Sequence, residues 1–195
     1  MLKRMTMFLL IAVFTVCAAC SMPETQIYSL HLPTPKNSPN KNTNASIAIL
    51  IHSPKYLAQP YIAYRKSPYE LLISRYSKWE SSPEEIVSHA MKDALSATGF
   101  FKEIRTSYVV PAGFYSLTIQ LKRFERIDEG DDSFGELSFE ANLSSPNGKD
   151  VYQGSVSKRI KLEGRSFASL AKGLSTSLAE GITEISGNVK RSLRQ

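Results

Sequence analysis

Residues 82–100, SPEEIVSHAMKDALSATGF, read as a helix with both of its ends written into the sequence. Ser82 offers a hydroxyl oxygen to an amide that has no partner inside the helix, and Glu85 can reach back to the Ser82 amide, completing a capping box. Pro83 suits the first helical turn, where its fixed φ helps and its missing N–H costs nothing. Ile86, Val87, Ala90, Met91, Ala94 and Leu95 then recur at helical spacing and define one apolar face. Thr98-Gly99 ends the run, Gly99 being free to take positive φ, and Phe100 can fold back on Leu95. An amphipathic helix set among runs of β-formers makes this an α/β chain.

Upstream, Ile47-Ala48-Ile49-Leu50-Ile51 is a continuous apolar run suited to a strand covered on both faces. Residues 61–65 and 69–74 read as two short strands joined by the turn signal Ser67-Pro68. Downstream, residues 101–105 make another short strand. Residues 114–124 alternate, with Tyr115, Leu117, Ile119 and Leu121 on one face. Residues 136–143 repeat the pattern through Leu137, Phe139, Ala141 and Leu143. The turn Pro146-Asn147-Gly148 leads to a strand over 151–162 with Tyr152, Val156, Ile160 and Leu162 inward. The acidic stretch Asp128–Asp132 is expected to be a solvated loop. Ser166 opens a final helix whose stripe runs from Phe167 through Leu170, Leu174, Leu178, Ile182, Ile185 and Val189 to Leu193. Gly173, Gly181 and Gly187 weaken it by about 1 kcal/mol each relative to Ala. The order is β-β-β-α-β-β-β-β-α in one domain over 45–195, and no internal repeat is visible.

The N-terminus has a different character. Lys3 and Arg4 precede an apolar run over 5–16, about the length of an export signal and short for a bilayer span. Ala18-Ala19-Cys20 supplies the small residues a signal peptidase requires, and a cysteine after two alanines resembles a bacterial lipobox. Residues 1–19 are then a lipoprotein signal peptide and Cys20 the lipidated N-terminus. Two other readings remain open: cleavage after Ala19 leaving a free thiol, and an uncleaved anchor. Ser21, rather than Asp, favours outer-membrane sorting under the enterobacterial rule. Residues 20–44 are polar and rich in Pro, Asn and Lys, the composition of a tether. Within them, residues 27–30 (IYSL) form a patch able to dock as a short strand.

Composition excludes several classes of function. The 195 residues carry a net charge of +6, with 42% hydrophobic and 22% charged residues. That is globular rather than disordered, and the scattered cations do not form the basic stripe of a nucleic-acid binder. Both cysteines, Cys17 and Cys20, lie in the N-terminal segment, so the domain holds no disulfide or thiolate metal site. His31, His52 and His89 are far apart with no ligand-spaced partner, and no nucleophile motif or phosphate loop occurs. Asp128, Glu129, Asp131 and Asp132 lack the spacing of a calcium loop. The sequence therefore points to no catalytic residue, no cofactor and no metal. Trp79, the single tryptophan, either staples the start of the helix to the core or contacts a partner, as Trp and Arg favour interfaces.

A linked series of residues resembles the ABC-type transport auxiliary lipoprotein family, the PqiC-like lipoproteins. Tyr28-Ser29-Leu30 follows the lipobox. Ile62-Ala63-Tyr64-Arg65 precedes Tyr69 and Arg75-Tyr76. Trp79 stands before Ser82-Pro83 and the helix ending Ala97-Thr98-Gly99-Phe100, then come Tyr115-Ser116-Leu117, Phe124-Glu125, the meander and the long final helix. Cys17 in the lipobox and Ser-Ser-Pro before the helix depart from the usual pattern. The resemblance implies a three-layer α/β/α fold with a mixed, largely antiparallel sheet and two main helices, similar to the N-terminal domain of TolB. It implies a non-enzymatic outer-membrane lipoprotein serving an envelope lipid-transport system. Its partners would be an MCE-domain protein, an inner-membrane ABC-type transporter complex and further copies of itself in a homo-oligomer, with Tyr64, Arg65 and Trp79 as candidate partner contacts. A different class, a lipoprotein regulator of a cell-wall synthase, is the competing reading. A tether of about 25 residues is short for crossing peptidoglycan at ~3.1–3.6 Å per residue.

Overall fold

The computed structural model describes residues 23–34 and 44–194. Along the chain run β1 (Gln26–Tyr28), β2 (Ser46–His52), β3 (Tyr61–Ser67), β4 (Glu70–Trp79), α1 (Pro83–Ala97), β5 (Glu103–Thr106), β6 (Tyr115–Glu129), β7 (Asp132–Ser144), β8 (Asp150–Lys161) and α2 (Phe167–Ser192). The eight strands form one mixed sheet.

β6 is its spine. β7 pairs antiparallel along almost its full length, from Ser116↔Ser144 to Glu129↔Asp132. The other edge of β6 is shared end to end by two parallel partners. β2 takes the first half, from Ile47↔Tyr115 to His52↔Gln120, and β3 takes the second, from Ala63↔Glu125 to Arg65↔Ile127. β5 extends the sheet beyond β2, and β4 then β1 extend it beyond β3. A bulge at Lys122 lies between the two halves, and the Tyr56 hydroxyl, in the loop joining β2 to β3, donates to the Lys122 carbonyl at 3.4 Å. The antiparallel β6–β7–β8 meander contains the longest ladders.

The bulge also sets the core. Leu117, Ile119 and Leu121 alternate inward, and the inserted residue then brings Phe124, not Arg123, onto the same buried face. Leu137, Phe139, Ala141 and Leu143 of β7 and Val156 of β8 complete that face.

α1 begins as its sequence dictates. The Glu85 amide donates to Ser82 Oγ at 3.2 Å, and the Ser82 amide donates to Glu85 Oε2 at 3.1 Å. It ends at Thr98 with Gly99 at φ 62°. α2 is capped by Ser166, whose Oγ accepts from the Ser169 amide at 3.1 Å. Two of its glycines do more than weaken it. A Cβ at Gly181 would meet Val156 Cγ1 at 2.8 Å, and one at Gly173 would meet Leu162 Cδ2 at 2.8 Å. Glycine lets α2 sit against β7 and β8 closer than any side chain would allow.

The α/β class, the mixed sheet and the two main helices match the sequence expectation. Two details differ. First, α1 and α2 lie side by side on one face, with Lys190 Nζ donating to the Thr98 carbonyl at 3.3 Å and one core shared by both. The described residues therefore form a single helical layer over a curled sheet, where the resemblance implied helices on both sides. Second, β6 and β7 reach further than alternation indicated, and the expected acidic loop is reduced to a tight turn at Gly130-Asp131. The docking patch in the tether forms the short strand expected of it, β1, paired parallel with β4.

Candidate functional site

The tether region is held to the domain more firmly than its composition suggests. Gln26, Ile27 and Tyr28 pair with Ser77, Lys78 and Trp79, and the Glu80 amide donates to the Tyr28 carbonyl at 2.9 Å. The Tyr28 ring meets Phe167, the first residue of α2, edge-on at 6.1 Å. Leu30 and Leu32 pack on the core, and the His31 amide donates to Ser175 Oγ at 3.0 Å. Polar composition does not reveal this because the anchoring residues, Tyr28, Leu30 and Leu32, are spaced singly among polar ones. Cys20 lies outside the described residues.

Of the candidate partner contacts, Trp79 is a core residue. It is 2% exposed and its indole meets Phe124 at 5.4 Å, nearly perpendicular. A side chain so placed cannot meet a partner without the domain opening. Tyr64 is half-buried on the helical face, its ring 6.0 Å from Phe167. Arg65 is on the opposite face, its Nε 2.8 Å from Glu125 Oε1. The fold thus separates the three rather than gathering them.

Around Arg65 is a cluster that alternation did not reveal. Glu125 has no exposed surface, and its carboxylate accepts from Arg65 Nε, from Arg123 at 3.2 Å and from the Tyr56 hydroxyl at 3.3 Å. Burial, and then the Glu125 charge, push the Tyr56 phenol up to about 12. The hydrogen bond to Glu125 raises the Arg65 guanidinium above its ordinary value. On the helical face, the neighbouring Arg126 is set between Tyr64 and Phe167, 5.0 and 4.8 Å from their ring centres. It also pairs with Asp128 at 2.9 Å and donates to the Arg165 carbonyl. Both clusters satisfy their own charges. The Glu125 carboxylate thus spends its oxygens on two guanidiniums and the Tyr56 hydroxyl, all supplied by the sheet and the β2–β3 loop.

Binding surfaces are easier to find than chemistry. A groove of about 510 Å³ runs between the helices, lined by Ala90, Ala94, Ala97, Ala179 and Ile182, with Lys190 at its rim. Tyr69 at the β3–β4 turn is 98% exposed. At the other end of the strand path, in the loop after β5, Tyr108 and Val109 are 89% and 73% exposed. Among the described residues no three His, Cys, Asp or Glu side chains gather as a metal site, and the three histidines are exposed. No described helix is long and apolar enough to cross a membrane.

Comparison with solved structures finds the same fold elsewhere. Protein XCC0632 from Xanthomonas campestris, of the DUF330 family, superposes with a TM-score of 0.71 at 18% identity, covering 87% of this chain and 98% of that one. An uncharacterized protein superposes at 0.63, again at 18% identity, over 88% and 99% of the two chains. No functionally curated protein matches the chain. The family model for the ABC-type transport auxiliary lipoprotein component matches residues 28–186. That span runs from the Tyr28 of β1 to the last third of α2, and it places the chain in the family of ABC-type transport auxiliary lipoprotein components.

Proposed function

We propose that the chain is a non-enzymatic lipoprotein, acylated at Cys20 and held at the periplasmic face of the outer membrane. There it serves as the docking module of an ABC/MCE-type envelope lipid-transport system. Family membership and the lipobox-like Ala18-Ala19-Cys20 support the anchor. The observation that carries the docking role is the exposed apolar run Tyr108, Val109 and Val110 in the loop after β5. Contiguous exposed apolar residues are a feature of interaction surfaces. The 108–110 loop, at the end of the strand path away from β1, is the surface assigned to the MCE-domain protein.

The docked β1 weighs against a regulator of a cell-wall synthase. Gln26 is only six positions beyond Cys20, a reach of ~20 Å. A domain held that close stays beside its membrane.

Pull-down of the anchored protein tests the reading. It should recover an MCE-domain protein, and Val109→Lys should reduce that recovery. Recovery of a penicillin-binding protein without any MCE-domain protein overturns it. Cys20→Ala should abolish fatty-acid labelling and release the chain from the membrane; unchanged labelling and fractionation refute the anchor.

A further inference from the structure

We propose that the β3–β4 turn, with Tyr69 at its tip, rests in the headgroup region of the bilayer that carries the Cys20 acyl chains. This inference rests on Cys20 being acylated, as argued above. β1 runs parallel to β4, so the chain before Gln26 approaches from the side of the sheet where β4 begins. The sequence gap from Cys20 to Gln26 spans ~20 Å when extended. An equal number of residues back along β4 from Ser77, the partner of Gln26, is Leu71, two positions from Tyr69. The length of the leash thus matches the distance from its attachment point to the turn.

What stands at that turn suits a lipid surface. Tyr69 is 98% exposed with Pro68 beside it, and Ile73 and Tyr76 on β4 are exposed behind it. Tyrosine is favoured at membrane interfaces because its ring enters the apolar boundary while its hydroxyl stays among headgroups. Lys66 and Arg75 are offset by Glu70 and Glu24, all four exposed. The contact is therefore apolar and interfacial rather than electrostatic, and salt should not release it.

The test uses the full acylated chain in vesicles of phosphatidylethanolamine with phosphatidylglycerol. A mature chain with its one native thiol acylated allows a single introduced cysteine to be labelled uniquely. A fluorophore is placed by Glu70→Cys beside the turn, or by Asn147→Cys in the β7–β8 turn. The two turns flank opposite ends of β6, where Arg65 pairs with Ile127 and Ser144 pairs with Ser116. That places them ~35 Å apart. Brominated lipids should quench the label at 70 at least about threefold more than the label at 147, in low and high salt alike. Adding Tyr69→Ser should bring the two close together. Equal quenching at both positions, with acylation confirmed by mass, overturns the turn contact and leaves the anchor intact. Absence of acylation overturns both. A signal at position 70 that follows protein concentration and ignores bromine makes a second copy the occupant and also overturns the proposal.

Discussion

Glu125 and Arg126 are neighbours on β6, one on each face of the sheet, and they bury their charges by different means. Glu125, fully buried, is held by two formal charges, Arg65 and Arg123, and by the neutral Tyr56 hydroxyl. Arg126, 7% exposed, is held largely by ring faces, Tyr64 and Phe167, with Asp128 and a backbone carbonyl taking its N–H groups. A carboxylate is strongly hydrated and gains little from a ring face, so it requires cations. A guanidinium is weakly hydrated and planar, and it stacks. The outer face therefore depends on matched charges, and the helical face depends on packing.

The sharpest way to break this contrast is Arg65→Met. It leaves the Glu125 carboxylate with Arg123, whose side chain is 45% exposed, and should cost about 3 kcal/mol in urea unfolding. Adding Glu125→Gln should restore most of that loss, since the pair then no longer contains a stranded charge. A loss below about 1 kcal/mol for Arg65→Met would mean the carboxylate is not isolated from water.

Arg126→Met should cost less, about 2 kcal/mol, because methionine still packs between the two rings and Asp128 keeps its 2.6 Å bond from Ser133 Oγ. If it costs more than Arg65→Met, the packing account of the helical face is wrong. Phe167→Leu removes one ring face and should cost about 1 kcal/mol. A double-mutant cycle with Arg126→Met should show a coupling of about 0.5–1 kcal/mol.

The smallest effect is also the most specific. Tyr56 is raised from 10.0 to about 12 by burial and by Glu125. The folded state keeps this proton where the unfolded state loses it. Its contribution is complete below pH 10 and disappears as pH rises to about 12. Tyr56→Phe should flatten that part of the stability profile, and absorbance titration should show one phenolate fewer forming late. Glu125→Gln should bring the Tyr56 titration partway down, because burial remains the larger cause.

Local rules written in single residues were legible in the sequence. Ser82, Pro83 and Glu85 fixed the start of α1, Gly99 its end, and Ser166 the start of α2. Period-two alternation located the meander. What was illegible depends on contacts distant in sequence. The bulge at Lys122 changes the parity of β6, so Phe124 turns inward and Glu125 is buried on the side where alternation would place solvent. Its partners come from position 56 in one loop and position 65 in another strand, and no spacing pattern links them. The burial of Trp79 was visible as one of two alternatives, and only its ring contact with Phe124 decides between them.

The three-residue ladder of β1 has a mechanical consequence. Tension applied at the N-terminus pulls β1 along its own axis and loads its hydrogen bonds to β4 together, in shear. Because the ladder is so short and lies at the sheet edge, it yields before the long β6–β7 ladder bears any strain. Its release, followed by that of Leu30, Leu32 and the His31–Ser175 bond, would free the chain up to β2 and lengthen the reach from residue 20 from ~20 Å to ~80 Å with the remaining seven strands intact. β1 is thus placed as a fuse: a pull on the N-terminal segment extends the protein before it unfolds it.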